Sequence, residues 1–208
     1  MEEVLDLYEE PYDPSRPVTC FDERPCQLIG DVIEPLPPKP GEVARFDSHY
    51  RRGGTCHVLM AFEPLTGWRQ ARVTKRRRKR EFAEEMCRLA EEVYPRAERI
   101  RVVLDNLSTH TAAAFYESFP AERARHLARK IEFAYTPVHG SWLNMVEIEL
   151  SVLVRQCLKR RLPDIETLSR EVKAWESERN RKGASVDWRF TTEDARIKLK
   201  SLYPTTEE

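Results

Sequence analysis

Three acidic positions in this chain have the type and spacing to do chemistry together: Asp22, Asp105 and Glu147. Asp22 follows the apolar run Val18-Thr-Cys-Phe21, and Asp105 follows Ile100-Arg-Val-Val-Leu104. Acids at the ends of buried strands sit where open α/β sheets collect ligands, outside the carboxyl ends. If the two strands are adjacent and parallel, the aspartates emerge side by side. A helix packed across that edge can then add Glu147 as a third carboxylate. Clustered carboxylates repel unless cations neutralise them, and hard oxygen donors favour Mg²⁺ or Mn²⁺. Two such ions about 3.5–4 Å apart can activate the attacking oxygen and stabilise the leaving one in phosphodiester cleavage. Each acid also has an ordinary reading. Asp and Asn are common turn and cap residues, and a glutamate in an early helical turn suits the helix dipole. Glu149 competes with Glu147. Two residues apart, their carboxylates point to different faces. Both flank the apolar stripe of Leu143, Val146, Leu150 and Leu153, so periodicity leaves the choice open.

The elements that must position these acids follow from the apolar pattern. Residues 1–16 are acidic and carry Pro11 and Pro14, which reads as a loosely ordered leader. Val18–Phe21 predicts a short buried strand, ended by Asp22-Glu-Arg-Pro25 as a turn. Residues 31–54 form a long irregular stretch with prolines at 35, 37, 38 and 40. A loop of that length is usually functional or an insertion. Thr55–Phe62 and Trp68–Thr74 flank the turn residues Pro64-Leu-Thr-Gly67 and predict a hairpin. A helix follows, with Phe82, Met86, Leu89, Ala90 and Val93 on one face. Ile100–Leu104 reads as a central strand buried on both faces. Thr109 can cap a helix to about Phe119, a helix spans 121–129, and Ile131–Tyr135 is a strand. Ser141 can cap a helix to about Leu158. Asp164 starts another, with Leu168, Val172 and Trp175 on one face, and Thr191 with Asp194 forms a capping box for the last. The expectation is an α/β fold with a mixed central sheet: an antiparallel hairpin meander plus parallel strands flanked by helices.

Composition bounds the function. The chain has 208 residues, 40% apolar, with 35 basic and 35 acidic side chains. That suits one domain with a sizeable core. No window approaches the roughly 18 apolar residues of a membrane helix. The acidic start is unlike a signal peptide. The five cysteines contain no C-x-x-C pair, which argues against a disulfide framework or a Cys-type zinc site and makes the cytoplasm the expected location. A P-loop ATPase is set aside because no G-x-x-x-x-G-K-[ST] exists. A serine hydrolase using Ser141 and His139 is set aside because no G-x-S-x-G elbow exists. Zero net charge by itself speaks against nucleic acid, but Lys75, Arg76, Arg77, Arg78, Lys79 and Arg80 are consecutive. Such a run can make several phosphate contacts, and it can equally be a solvated loop leading into a helix. Arg51-Arg52, Arg155 and Lys159-Arg-Arg161 can extend it.

Cys-Phe-Asp22-Glu, then Val-Val-Leu-Asp105-Asn-Leu-Ser-Thr-His110, then Tyr-Thr-Pro-Val-His139-Gly-Ser-Trp-Leu-Asn144-Met-Val-Glu147 together resemble a transposase of the insertion-sequence 630 family. That family lies in the mariner-like DDE superfamily. The resemblance covers about residues 17–203, with 1–16 as leader and 204–208 as tail, and Trp188-Arg-Phe-Thr191 resembles the family's closing segment. It implies an RNase H-like catalytic domain whose metal-binding and catalytic residues are Asp22, Asp105 and Glu147. Glu147 is preferred over Glu149 because it completes L-N-x-x-E. It further implies Mg²⁺ or Mn²⁺, as two ions, and DNA strand cleavage and transfer. DNA contacts would come from the basic run, with Asn106, His139 and Asn144 supporting the site, and His110 would either contact DNA or support the site, its ordinary reading being a solvated helix start. Expected partners are double-stranded DNA, as transposon ends and target, and a second copy of the chain. Family members carry an N-terminal helix-turn-helix that reads the transposon ends. About 17 residues precede the first strand here, so the expectation is a catalytic domain separated from that module, as a truncated element, one product of a split frame or a fragment, with a separate end-recognition polypeptide among the partners to look for. The alternative reading is an inactive remnant that only binds DNA.

Overall fold

Alternating apolar residues draw five strands into one mixed sheet: β1 (Val18–Asp31), β2 (Tyr50–Glu63), β3 (Trp68–Thr74), β4 (Ile100–Leu104) and β5 (Ile131–Tyr135). The structure is a computed structural model that describes residues 1–43, 45 and 47–203. Strand order is β3-β2-β1-β4-β5. The first three strands pair antiparallel, and β4 and β5 add in parallel to β1. The hairpin meander and the parallel half are both as the sequence predicts.

Each face of the sheet buries one cluster, because side chains alternate along a strand. Cys20, Met60, Phe62 and Val103 face one way, with α1 (Glu2–Glu9), α5 (Val146–Leu153) and α6 (Ile165–Lys182) packed on them. Phe21, Leu59, Ala61, Val102 and Leu104 face the other way, beneath α2 (Lys79–Arg88), α3 (Ala113–Ser118) and α4 (Ala121–Lys130). β3 is an edge strand, and α6 covers its edge with side chains. Glu176 Oε2 accepts from the Ala71 N–H at 2.8 Å, Asn180 Oδ1 accepts from the Arg69 N–H at 2.9 Å, and Asn180 Nδ2 donates to the Arg69 carbonyl at 2.8 Å. Covering an exposed edge in this way blocks pairing with foreign strands.

Four expectations are corrected. The leader is not loose: α1 spans Glu2–Glu9 and puts Val4, Leu5, Leu7 and Tyr8 in the core. Pro11 and Pro14 follow that helix and do not interrupt it. Second, β1 does not end at Asp22 but runs on to Asp31. Its pairing with β4 stops at Cys20, so from there β2 is its only strand partner among the described residues, and an edge strand tolerates Pro25. Third, β2 starts at Tyr50, which shortens the irregular stretch. Finally, neither Thr109 nor Ser141 caps a helix. α3 starts at Ala113, and a short 3₁₀ turn, Ser141–Leu143, precedes α5. The caps at Asp164 of α6 and Thr191 of α7 (Thr192–Lys198) form as predicted. Residues 204–208, read as a tail, lie outside the described residues.

Candidate active site

The register of β1 against β4 brings the two aspartates together. Cys20 pairs with Val103, so Asp22 and Asp105 each stand two residues past the same parallel pair. Cys20 and Val103 face the cluster that α5 covers, which sets the aspartates beside the start of that helix, where Glu147 is. The charges feel one another. Burial pushes the Asp22 carboxyl up, and the Glu147 and Asp105 carboxylates add to it against the Glu23 N–H bond and His110, leaving it at about 7. The Glu23 N–H donates to Asp22 Oδ1 at 2.7 Å.

Asp105 is held from beneath. His110 is fully buried, with Nδ1 2.6 Å from Asp105 Oδ1 and 3.2 Å from the Asp105 carbonyl. On its other side, Nε2 is 3.4 Å from Glu23 Oε1. Burial pulls the imidazole down, but Asp105 and then Glu23 outweigh it and hold it up, at about 9. The two flanking carboxylates thus favour the charged form of the ring. Of the two roles expected of it, its burial between Phe21 and Phe82 fits support of Asp105 and not direct contact with DNA. Glu23 is a member of the site that the sequence reading missed. It looked like a turn residue, and its partner lies 87 positions away.

Asn144, expected to support the site, lies beside the strand that carries Asp22. It is buried, and its Nδ2 donates 2.8 Å to the carbonyl of Phe21, next to Asp22. Asn106 and His139 are exposed, and among the described residues neither side chain hydrogen-bonds to the three acids. His139 adopts a left-handed backbone, φ 63°, which is uncommon without glycine. Glu149 is excluded from the acid cluster. It is buried against Arg69 and Arg179, with Arg179 Nη2 at 2.5 Å and Arg69 Nε at 3.1 Å.

The basic run leaves β3 and enters α2. Arg77 Nη1 lies 3.8 Å from Glu23 Oε2, which puts the run beside the aspartates. Lys79 pairs with Glu117 and Arg80 with Glu84. Lys75, Arg76 and Arg78 are exposed and form no ion pair among the described residues.

The donor set fits a hard divalent cation. It offers three carboxylates, one of them, Asp105, oriented by its ion pair with His110. Among the described residues, however, no three His, Cys, Asp or Glu side chains are drawn into a ready-made cage. Like charges have no reason to close up by themselves.

Comparison with known proteins fits this geometry. The sheet and helices match a Mos1 transposase paired-end complex with the left transposon end (15% identity, TM-score 0.58, 88% of this chain and 55% of that one). They also match a pre-cleavage Mos1 transpososome (14%, TM-score 0.57, 88% and 55%) and the Mos1 mariner paired end complex with Mn (15%, TM-score 0.52, 88% and 55%). The chain thus spans about half the length of these structures, and the likeness shows an RNase H-like fold. No curated protein sequence matches. The DDE superfamily endonuclease profile matches residues 17–169, which include Asp22, Asp105 and Glu147. With that match over most of its length, the chain belongs to the DDE superfamily endonuclease family.

Proposed function

We propose that this chain is the catalytic domain of a transposase of the insertion-sequence 630 type, which cleaves DNA strands and joins them to a target. One observation carries the reading: Asp22 and Asp105 lie in register past adjacent parallel strands, with the charge of Glu147 acting on Asp22. Asp22, Asp105 and Glu147 would hold Mg²⁺ or Mn²⁺, as two ions. When bound, the metal supplies Lewis-acid activation of the attacking and leaving oxygens of an in-line phosphoryl displacement. The chain's own residues do the rest. His110, held by Glu23, fixes one oxygen of Asp105, Asn144 ties the approach of α5 to the strand that bears Asp22, and the cations of the Lys75–Arg80 run left without ion pairs among the described residues hold phosphates beside the acids. The partners proposed are double-stranded DNA, as transposon ends and target, a second copy of the chain, and a helix-turn-helix module that reads the ends. The site of action proposed is the bacterial cytoplasm. The matched Mos1 structures, which include complexes with transposon ends, support DNA as partner.

The test is nicking of supercoiled plasmid with Mg²⁺ or Mn²⁺, wild type against Asp105→Asn. We expect metal-dependent nicking by the wild type and a loss of at least 10²-fold in the variant, the scale on which electrostatic stabilisers of a transition state act. Equal nicking by both would reject the catalytic assignment. DNA binding without cutting by the wild type would identify the chain as a binding remnant.

A further inference from the structure

We infer that Arg69 and Arg179 act through Glu149 as positioning residues for Glu147, setting the rotation of α5 so that the Glu147 carboxylate meets Asp22. The inference rests on the reading of Glu147 as a metal-binding residue.

The observation is a buried ion cluster with no place in the chemistry. Arg69 on β3 and Glu149 on α5 are both essentially inaccessible. Arg69 Nε reaches Glu149 Oε2 at 3.1 Å, and Arg179 on α6 grips both oxygens, Nη2 to Oε1 at 2.5 Å and Nε to Oε2 at 3.2 Å. Arg69 Nη2 also donates to the Ala184 carbonyl at 2.5 Å. Burying such charges is a poor way to gain stability, because apolar residues of similar volume often do as well or better. The best-attested use of a buried ion cluster is to select one register among several.

α5 is an element whose register needs selecting. It has only eight residues, Met145 at its start makes no side-chain cap, the Val146 N–H has only a long 3.4 Å bond to Asn144 Oδ1, and a 3₁₀ turn and a π turn flank it. Its apolar contacts, through Val146, Leu150 and Leu153, carry little directional preference. A helix turns about 100° per residue, so Glu147 and Glu149 project about 200° apart. Holding Glu149 between two guanidinium planes therefore fixes where Glu147 points. Asn144 supplies the second tether, at the Phe21 carbonyl. One end of the helix is tied to β1 and its middle to β3 and α6, and Glu147 lies between the ties.

The test is Mn²⁺ titration of metal-free protein, with free Mn²⁺ read by electron paramagnetic resonance and the fold checked by thermal melting. The informative variant replaces the cluster by apolar side chains: Arg69→Met, Glu149→Leu and Arg179→Met together. We expect it to melt within a few degrees of wild type while its Mn²⁺ Kd weakens at least tenfold. In plasmid nicking kcat should fall with KM for DNA unchanged. Wild-type Mn²⁺ affinity in the folded triple variant would overturn the inference. If the triple variant does not fold, Arg179→Lys answers instead, since an ammonium cannot grip both oxygens. It should weaken Mn²⁺ binding several-fold, and unchanged affinity overturns the inference. Glu147→Gln separates the two readings. If it binds Mn²⁺ like wild type, the third-acid assignment fails and the positioning role falls with it. If it binds at least tenfold more weakly while the cluster variants do not, only the positioning role falls.

Discussion

Asp22 is a carboxylate kept where a charge is disfavoured. Its pKa is raised from 3.8 to about 7 by burial and by Glu147 and Asp105. The folded state therefore holds a proton that the unfolded chain releases, and stability falls as pH rises from about 4 to 7. Below pH 4 the group is protonated in both states and contributes nothing. Asp22→Asn removes the charge without changing the shape. At pH 8 without metal it should raise stability by about 2 kcal/mol, allowing for solvent screening of a shift of roughly 3 units. That is about 4–8 °C in Tm for a chain of this length, and at pH 4 the two proteins should melt together. Equal Tm values at pH 8 would show that the Asp22 charge is not strained in the free protein. The aspartates were legible in the sequence because each follows an apolar run that can only be a buried strand. The roles of His110 and Glu23 were not, because they depend on a contact between residues far apart in the chain. A histidine after D-N-x-x-x looks like a solvated helix start until the strand carrying its carboxylate partner is placed beside it.

At the scale of elements, the strands and the long helices were legible where periodicity was strong and the cap was chemically explicit. β4 is buried along its whole length, and the Asp164 side chain accepts from the Thr167 N–H at 2.6 Å. Short elements were not, because local signals do not determine them. α1 has eight residues, too few to be stable alone. It exists because Val4, Leu5, Leu7 and Tyr8 find the sheet face that α5 also covers. Tyr8 Oη also donates 2.8 Å to the carbonyl of Leu143, just before α5. Deleting residues 1–10 should therefore be severe. Four buried side chains at about 1.5–3 kcal/mol each exceed half of a typical domain's stability. We expect loss of cooperative melting, or a fall in Tm of more than 10 °C. Tyr8→Phe leaves the packing but orphans a buried carbonyl, and should cost about 1–2 kcal/mol in denaturant unfolding. A deletion variant that melts like wild type would return α1 to the status of a dispensable leader.

At the scale of the whole molecule the charge sums to zero, with 35 basic and 35 acidic groups, yet the structure separates their work. Acids such as Glu149 and Glu176 are consumed in buried contacts, and burial with the neighbouring carboxylates raises Asp22 to about 7, so its charge is only partly developed at neutral pH. Lys75, Arg76 and Arg78 remain exposed next to the acid edge without ion pairs among the described residues. Lys79 and Arg80 are engaged by Glu117 and Glu84. DNA affinity should therefore follow a few local cations and not the net charge. Each phosphate neutralised adds about 0.9 to the slope of log K against log salt. Lys75→Ala with Arg76→Ala should lower that slope by about 2 and weaken binding uniformly across DNA sequences. Lys79→Ala with Arg80→Ala should change it by less than 1, because those cations already have protein partners. All four substitutions are on the surface, so Tm should stay within about 2 °C of wild type. Fluorescence anisotropy with a labelled duplex, from 50 to 200 mM salt, measures both slopes. Equal slopes in the two double variants would mean that the Glu117 and Glu84 pairs open on DNA, and that the whole six-residue run docks as one surface.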